Sequence, residues 1–160
     1  MAERQDYTPR SRNMVPLWES SIVMLGRIGS PKAVPVLLDV LADRSVSMDV
    51  LIAVIRALGR IGDQRAVPAI LALLERGDLP HERKFQVYSL NSRWPERENG
   101  LWQVELAAAE ILAGFGYPQP QIVDNYLQVG HNQVKRYARK VQEIGTRIAL
   151  PVPSPRILQH

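Results

Sequence analysis

Residues 25–38 read Leu-Gly-Arg-Ile-Gly-Ser-Pro-Lys-Ala-Val-Pro-Val-Leu-Leu, and residues 58–71 read Leu-Gly-Arg-Ile-Gly-Asp-Gln-Arg-Ala-Val-Pro-Ala-Ile-Leu. The two segments begin 33 residues apart and are identical at nine of fourteen positions. A self-match at such a period is typical of repeat arrays, in which each unit stacks on its neighbours and buries a shared core. The sequence therefore predicts an array of similar units.

Within each unit, the spacing of apolar residues predicts two helices that run in opposite directions. Apolar residues recur every three or four positions, as one buried helix face requires. In the second unit, Ser47 is placed to cap the first helix, and Gly62 is placed to end it in a left-handed conformation. Asp63 stands where the N-cap of the returning helix is expected.

Two prolines indicate where the returning helices begin. Pro35 and Pro68 occupy equivalent positions of the two units. A proline costs about 3 kcal/mol in a helix interior but is tolerated in the first turn. The regular part of these helices is therefore expected to begin near Ala33 and Ala66, after a looser turn.

Composition and Pro or Gly punctuation divide the rest of the chain. The predicted segments, in order, are a flexible arm at 1–13, units at about 15–43, 47–76 and 101–129, a half unit at 131–149, and a Pro-rich extended tail at 150–160. The repeat domain at 14–149 contains an insertion at 77–100, and insertions of this length are often functional. A short helix is expected in it, around Glu82–Tyr88.

The units resemble HEAT repeats, specifically the short bacterial kind found in phycobilin-lyase-like proteins. Residues 25–29 with 33–35, and 58–63 with 66–68, carry the resemblance, and residues 107–116 match it weakly. It implies an all-α fold, a right-handed α–α superhelix of about three helix pairs plus a final capping helix. It also implies that the second helices line a concave side, at Lys32, Val36, Asp39, Asp43, Arg65, Ala69, Arg76 and Gln119, a strip of mixed charge.

The composition of the chain excludes several classes of protein. Its 160 residues include no cysteine, so a disulfide framework, a thiolate metal site and a cysteine nucleophile are all absent. No apolar stretch approaches the roughly 18 residues of a membrane span. Because Glu3, Arg4 and Asp6 interrupt the N-terminus, no signal peptide is expected, and a cytoplasmic location is predicted.

Catalytic and metal-binding patterns are not apparent in the sequence. None of His81, His131 and His160 lies four residues from another ligand-type residue on a predicted helix, and His81-Glu82 is a single pair. Neither a Ser/His/Asp arrangement nor a phosphate-binding glycine loop is found. We therefore expect no metal, no cofactor and no enzymatic activity.

The insertion carries the first group of candidate partner-binding residues. Its aromatic residues Phe85, Tyr88 and Trp94 are followed closely by Trp102. They either pack as a small core that closes the insertion onto the stack or anchor a partner, with Arg83, Arg93 and Arg97 around them.

The final helix carries the second group. This helix carries five basic residues and one acidic residue, Glu143, on the side opposite an apolar stripe. The basic residues are Lys135, Arg136, Arg139, Lys140 and Arg147. This face is either the solvated side of a capping helix or an electrostatic contact for an acidic protein surface or for phosphate. At the other end of the stack, Trp18 either caps the stack or meets another chain.

Three functions are compatible with these features. The first is a non-enzymatic protein–protein interaction scaffold, acting as an accessory subunit or appended domain of a larger assembly. The alternative that the resemblance implies is a phycobilin-lyase-like role or a chaperone for tetrapyrrole proteins. The third is a nucleic-acid-binding HEAT-like protein, for which the sequence offers basic residues but few aromatic side chains for stacking.

Overall fold

The computed structural model describes residues 10–80, 82–84, 97–129 and 131–149, with side chains from Trp18 onward outside two short strands. This part of the chain forms seven α-helices: α1 (Arg10–Ile28), α2 (Val34–Ala42), α3 (Met48–Ile61), α4 (Ala66–Leu74), α5 (Leu101–Gly114), α6 (Pro120–Val129) and α7 (Asn132–Ala149). The prediction of an all-α fold built from stacked helices is confirmed.

The helices pack in two layers. In the first layer α1 packs on α3, α3 on α5, and α5 on α7. In the second layer α2 packs beside α4, whereas α4 and α6 are in marginal contact at most. Helix α6 instead packs mainly on α7 and α5, so the third helix pair and the final helix form a compact group at the C-terminal end.

The helix ends follow from local sequence. Gly29, Gly62 and Gly116 have φ values of 69°, 73° and 89°, the left-handed region that favours glycine, and each lies just beyond a first-layer helix. The Ser47 hydroxyl accepts a hydrogen bond from the Val50 amide and caps α3, as predicted.

The N-cap prediction for Asp63 is wrong in one respect. Arg65, not Asp63, is the N-cap residue of α4. The Asp63 carboxylate accepts a hydrogen bond from the Arg65 amide at 2.9 Å, so it caps the turn that precedes the helix. Ser30 does the same for the 3₁₀ turn Pro31–Ala33. These turns displace the regular helices to Val34 and Ala66, close to the positions that the prolines indicate.

Close helix packing explains the other repeated glycines. A Cβ added at Gly26 would lie 2.8 Å from the Ala57 Cα atom, and one added at Gly59 would overlap the Ile111 side chain, whose Cγ1 and Cγ2 atoms would be 3.0 Å away. Gly26 therefore lets α1 approach α3, and Gly59 lets α3 approach α5. The same position in successive units is thus fixed by the stacking of one unit on the next.

Two of the predicted boundaries differ in the structure. Helix α1 begins at Arg10, inside the segment that we expected to be an arm. Residues 82–84 form a strand, β1 (Glu82–Lys84), that pairs antiparallel with β2 (Arg97–Asn99), so the helix expected around Glu82–Tyr88 is wrong for its first residues. The remainder of that expected helix lies outside the described residues. The pairing joins the two ends of the insertion, and local sequence patterns do not reveal such contacts.

The buried side chains form two clusters. The larger spans α1 to α5 and contains many Leu and Ile residues, with Leu58, Ile55 and Ile70 fully buried. The smaller lies between α5, α6 and α7 around Leu106, and its other buried members are Ala and Val. The C-terminal group of helices therefore has a thinner core than the first two helix pairs.

Candidate functional site

Helix α7 carries a basic surface at the C-terminal end of the stack. It buries Val134, Ala138 and Val141 against α5 and α6, so the opposite side of the helix points away from the stack. That side is exposed and, apart from Glu143, basic: Arg136, Arg139, Lys140 and Arg147. We call these four residues the basic face. In the part of the chain that the structure describes, no ion-pair partner is found for its three arginines.

A polar contact holds α7 on α5. The Tyr137 hydroxyl donates a hydrogen bond to the Glu110 carboxylate at 2.5 Å, and the Lys140 ammonium donates another at 2.7 Å. Burial acts to raise the pKa of Glu110, but these two hydrogen bonds together with the positive charges of Lys140 and Arg56 outweigh it and hold the pKa below its ordinary value. Burial and the bond to Glu110 raise the pKa of Tyr137. Among the four residues of the basic face, Lys140 is therefore the one whose charge stabilises the packing of α7 on α5.

Aromatic rings reinforce the same junction. Trp102, at the start of α5, packs edge-on against His131 and Tyr137, with ring centroids 6.1 and 6.5 Å apart. The Tyr126 hydroxyl of α6 donates to the Glu105 carboxylate of α5 in the same helix group. The aromatic residue nearest to the insertion thus contributes to the packing of α7.

An apolar groove lies along one flank of α7. It has a volume of about 390 Å³ and runs between the C-terminal end of α5, the start of α6 and the last turns of α7. Pro118, Val123 and Val141 line its walls. Gln142 and Thr146 of α7 line its edge on the side of the helix that also carries Arg139. The approach of Gly145 to Pro118, at 3.3 Å for an added Cβ, narrows the groove. An apolar recess and exposed positive charges therefore lie on the same helix.

A second recess, also of about 390 Å³, lies on the first layer of helices. Its lining is polar and mixed in charge, with Glu19, Asp49 and Arg56 beside Trp102 and Tyr137. Arg56 lowers the pKa of Glu110 from this side. Acidic and basic side chains both line this recess, and Arg56 also interacts with Glu110 at the contact between α5 and α7. The recess therefore does not favour one class of ligand.

Charged residues of the predicted concave strip link the first two helix pairs. The Arg65 guanidinium donates to the Pro31 carbonyl at 3.1 Å and pairs with Asp63, whose pKa its hydrogen bonds lower to about 2. Asp78 accepts hydrogen bonds from Arg76 at 2.9 Å and from Arg44 at 2.7 Å. These ion pairs and hydrogen bonds connect neighbouring units.

The structure describes only part of the predicted site. Lys135 is half-buried, whereas Arg136, Arg139 and Lys140 are exposed on one side of α7. Arg97 lies in β2, opposite Lys84, and its side chain is not described. The remaining candidates, Phe85, Tyr88, Arg93 and Trp94, lie outside the described residues, as do the histidines at 81 and 160.

Comparison with known proteins gives one family for the repeated part of the chain. Residues 19–90 match a family model described as HEAT repeats. The first two units are therefore similar to HEAT repeats. The matched region covers α2, α3, α4 and most of α1, the helices that contain the two Leu-Gly-Arg-Ile-Gly segments. A search of curated proteins gave no match to the chain.

The layered helix packing continues beyond the matched residues. Helices α5 and α7 extend the first layer in the same order, although only the first two units share the sequence motif. Across the described residues, no group of three His, Cys, Asp or Glu side chains is arranged to hold a metal ion. None of the helices in the described ranges is long and apolar enough to cross a membrane.

Sequence reasoning found the basic face but missed the groove beside it. The groove depends on Pro118 approaching Gly145, two residues that are far apart in the chain. The only signal for it is that Ile144-Gly145 repeats the Leu-Gly pattern of the earlier units, where the glycine marks a close contact.

Proposed function

We propose that the chain is a non-enzymatic interaction scaffold whose C-terminal end binds an acidic segment of another protein. HEAT repeats are commonly protein-interaction surfaces, and α-solenoids present their partners with an extended scaffold. The observation that carries the proposal is the basic face of α7, where Arg136, Arg139 and Arg147 are exposed and have no ion-pair partner among the described residues.

The groove narrows the chemistry of the partner. Pro118, Val123 and Val141 offer an apolar recess next to the side of α7 that carries Arg139. An amphipathic segment with apolar side chains on one side and carboxylates on the other would satisfy both features. Nucleic acid would use the charges but leave the apolar recess unfilled, because protein–nucleic acid interfaces are strongly polar.

The binding test uses a short labelled amphipathic peptide that is rich in Glu and Leu. Fluorescence anisotropy should detect its binding to the wild-type chain, with an affinity that falls as salt is added. The variant with Arg136→Glu, Arg139→Glu and Arg147→Glu together should weaken binding at least about tenfold, because three attractive charges become repulsive.

Two controls make this result specific to α7. The variant with Arg27→Glu and Arg60→Glu reverses exposed charges on α1 and α3 and should bind as the wild type does. A scrambled peptide of the same composition should bind more weakly, because it cannot present one apolar side to the groove. Equal binding of both peptides, or tighter binding of a DNA duplex than of the amphipathic peptide, would contradict the proposed partner.

In the role of an accessory subunit, the insertion contacts the partner in addition to α7. It rests on the sequence alone, on Phe85, Tyr88 and Trp94 with Arg93 and Arg97 around them. Once a partner that binds α7 is identified, the variant with Arg93→Ala and Trp94→Ala should capture less of it than the wild type does. The midpoint of urea denaturation of this variant should equal that of the wild type. Capture at the wild-type level would remove the insertion from the binding site.

The narrower likeness to repeats of phycobilin lyases supports a competing role in handling a tetrapyrrole. Its support is the pair of Leu-Gly-Arg-Ile-Gly segments, yet Gly26 and Gly59 are also required by the helix contacts. On the scaffold account, a bilin titrated with the pure chain keeps its absorbance spectrum, with and without an acceptor protein. A shifted spectrum would favour the lyase-like role instead.

A further inference from the structure

The apolar groove beside α7 ends where that helix ends. Five residues of α7 line the groove, from Val141 to Ala149, and Ala149 is the last residue of the helix. The chain therefore leaves α7 at one end of the groove. The residues that follow, 150–160, lie outside the described residues, and their sequence is what indicates where they go. We call them the tail.

The tail has a sequence that cannot continue the helix. It reads Leu-Pro-Val-Pro-Ser-Pro-Arg-Ile-Leu-Gln-His, with prolines at 151, 153 and 155. A proline disfavours helix at the residue before it and is common at the second position of a turn. Pro151 therefore favours a change of direction immediately after α7. The three prolines together favour an extended conformation with about three residues per turn.

In this conformation the tail carries an apolar stripe. With about three residues per turn, Val152, Pro155 and Leu158 lie on the same side. The stripe matches the groove, whose walls are apolar. Because proline has no amide hydrogen, a Pro-rich segment also buries fewer unpaired backbone donors in an apolar groove than another segment would.

The length of the tail matches the length of the groove. Val141 and Ala149 are eight residues apart on α7, which is about 12 Å at about 1.5 Å per residue. An extended proline-rich chain advances about 3.1 Å per residue. A tail that turns at Pro151 and runs back along α7 therefore brings Pro155 level with Val141, so it spans the groove.

The charges favour the same direction. Among the described residues, Asp124 of α6 is the one acidic residue that lines the groove, and no ion-pair partner is found for it. Helices α6 and α7 pack together and are joined by a two-residue connection, so they run antiparallel. Asp124 therefore lies toward the end of the groove away from Ala149. Arg156, which follows Pro155 in the tail, comes to this end.

We propose that the tail folds back from the end of α7 and docks in the groove between α5, α6 and α7, with Arg156 paired with Asp124. The groove is the apolar part of the partner site on α7, so the docked tail covers part of that site. This consequence rests on the proposed function, whereas the docking itself does not.

The direct connection to α7 lets a weak contact suffice. A segment on a short tether has an effective concentration in the millimolar range, so a contact with a dissociation constant of about 1 mM fills the groove in a large share of the molecules. If the tail is docked in about two thirds of them, the dissociation constant of the partner peptide is raised about threefold.

Disulfide formation tests the docking, because the chain has no cysteine of its own. The variant with Gln142→Cys and Ser154→Cys places one thiol at the edge of the groove and the other on the docked tail. The matched control, Glu143→Cys with Ser154→Cys, moves the first thiol by one residue to the side of α7 outside the groove. In dilute native protein, the disulfide within one chain should form at least about tenfold faster in the first variant. In urea the two rates should be equal.

A charge exchange tests the pairing of Arg156 with Asp124. In the chain with Gln142→Cys and Ser154→Cys, Arg156→Asp should slow disulfide formation at least about threefold, because like charges then face each other. Adding Asp124→Arg should restore the rate. A rate that neither change alters would overturn this pairing.

The effect on the partner is measured with the labelled peptide rich in Glu and Leu. Val152→Ser with Leu158→Ser removes the apolar stripe without changing the charge and should lower the dissociation constant of the peptide about threefold. An unchanged dissociation constant would show that the tail does not cover the partner site. If no variant binds the peptide, the proposed partner is wrong, and the disulfide rates still decide the docking. Equal native rates for the two cysteine pairs, or disulfides that link two chains, overturn it.

Discussion

Helix α1 ends the stack with Trp18, Met24 and Ile28, whereas α7 ends it with Arg136, Arg139 and Arg147. Both helices occupy the first layer and bury one side against a neighbouring unit. They differ in what they present outward. A terminal repeat with a polar outer side closes a solenoid, while an apolar outer side leaves the stacking surface available. Two helices in the same layer therefore present different chemistry outward, apolar on α1 and basic on α7, because of a few exposed residues.

The largest predicted difference concerns the two cores behind these ends. Leu58→Ala in the larger cluster should lower the free energy of unfolding by about 3 kcal/mol, because it leaves a cavity among large side chains. Val141→Ala in the smaller cluster should cost about 1.5 kcal/mol, because fewer atoms are lost beside an open groove. Urea denaturation measures both. Equal losses would contradict the view that the C-terminal core is thinner.

The glycine contacts sharpen the same comparison. Gly26→Ala places a Cβ against the backbone of α3 and should destabilise the fold by about 2 kcal/mol, even after the gain in helix propensity. Gly145→Ala meets only the Pro118 side chain at 3.3 Å, so its cost and its propensity gain should cancel to within about 0.5 kcal/mol. Thermal unfolding of the two variants checks the order. A reversed order would mean that α1 and α3 are not in close contact.

The polar junction of α7 makes part of the stability depend on pH. The pKa of Glu110 is lower in the folded than in the unfolded chain, so its contribution to stability is complete above the unfolded pKa of about 4.3 and is lost as pH falls through the folded value. Glu110→Gln should therefore lower the free energy of unfolding by about 1 kcal/mol at pH 7, a modest loss because the carboxylate is partly exposed and screened. The loss should be smaller in acid, where the carboxylate of the wild type becomes protonated.

Urea midpoints measured at neutral and acidic pH check this expectation. Glu143→Gln, on the exposed side of the same helix, is the matched control, and a loss below about 0.5 kcal/mol is expected for it. A cost for Glu110→Gln that is the same at both pH values would show that its charge does not stabilise the junction.

The smallest expected effect is at the start of α3. Ser47→Ala removes the hydroxyl that accepts from the Val50 amide at 3.4 Å and should cost about 0.5 kcal/mol, because this hydrogen bond is long and exposed. Ser47→Asp, which keeps an acceptor and adds a favourable charge at the helix N-terminus, should restore the loss. Urea denaturation of both variants is the measurement, and equal midpoints for Ala and Asp would argue against capping.

Local features of the sequence predicted the fold well. Gly29 and Gly62 end helices because they adopt left-handed backbone conformations, and Ser47 caps one because its hydroxyl reaches the next turn. Such signals act within a few residues, so they can be read from one segment. The 33-residue repeat then extended the interpretation from one helix pair to the next.

The parts that sequence reasoning missed depend on distant contacts. The β1–β2 pair joins Glu82 to Asn99, Tyr137 reaches Glu110 across two helices, and Pro118 meets Gly145 to shape the groove. None of these pairs has a local pattern. The outward charge of α7 could be predicted from the sequence because it depends on one helix alone. The groove beside it depends on how α5, α6 and α7 pack together, which no single segment of the sequence reveals.

Fluorescence anisotropy of the labelled amphipathic peptide tests most directly the claim that the two ends of the stack differ in what they bind. The account predicts that reversing Arg136, Arg139 and Arg147 on α7 weakens binding at least about tenfold, and that reversing Arg27 and Arg60 on α1 and α3 leaves it unchanged. Equal weakening by the two variants would contradict the account, because the peptide would then respond to the overall charge of the chain and not to the α7 end.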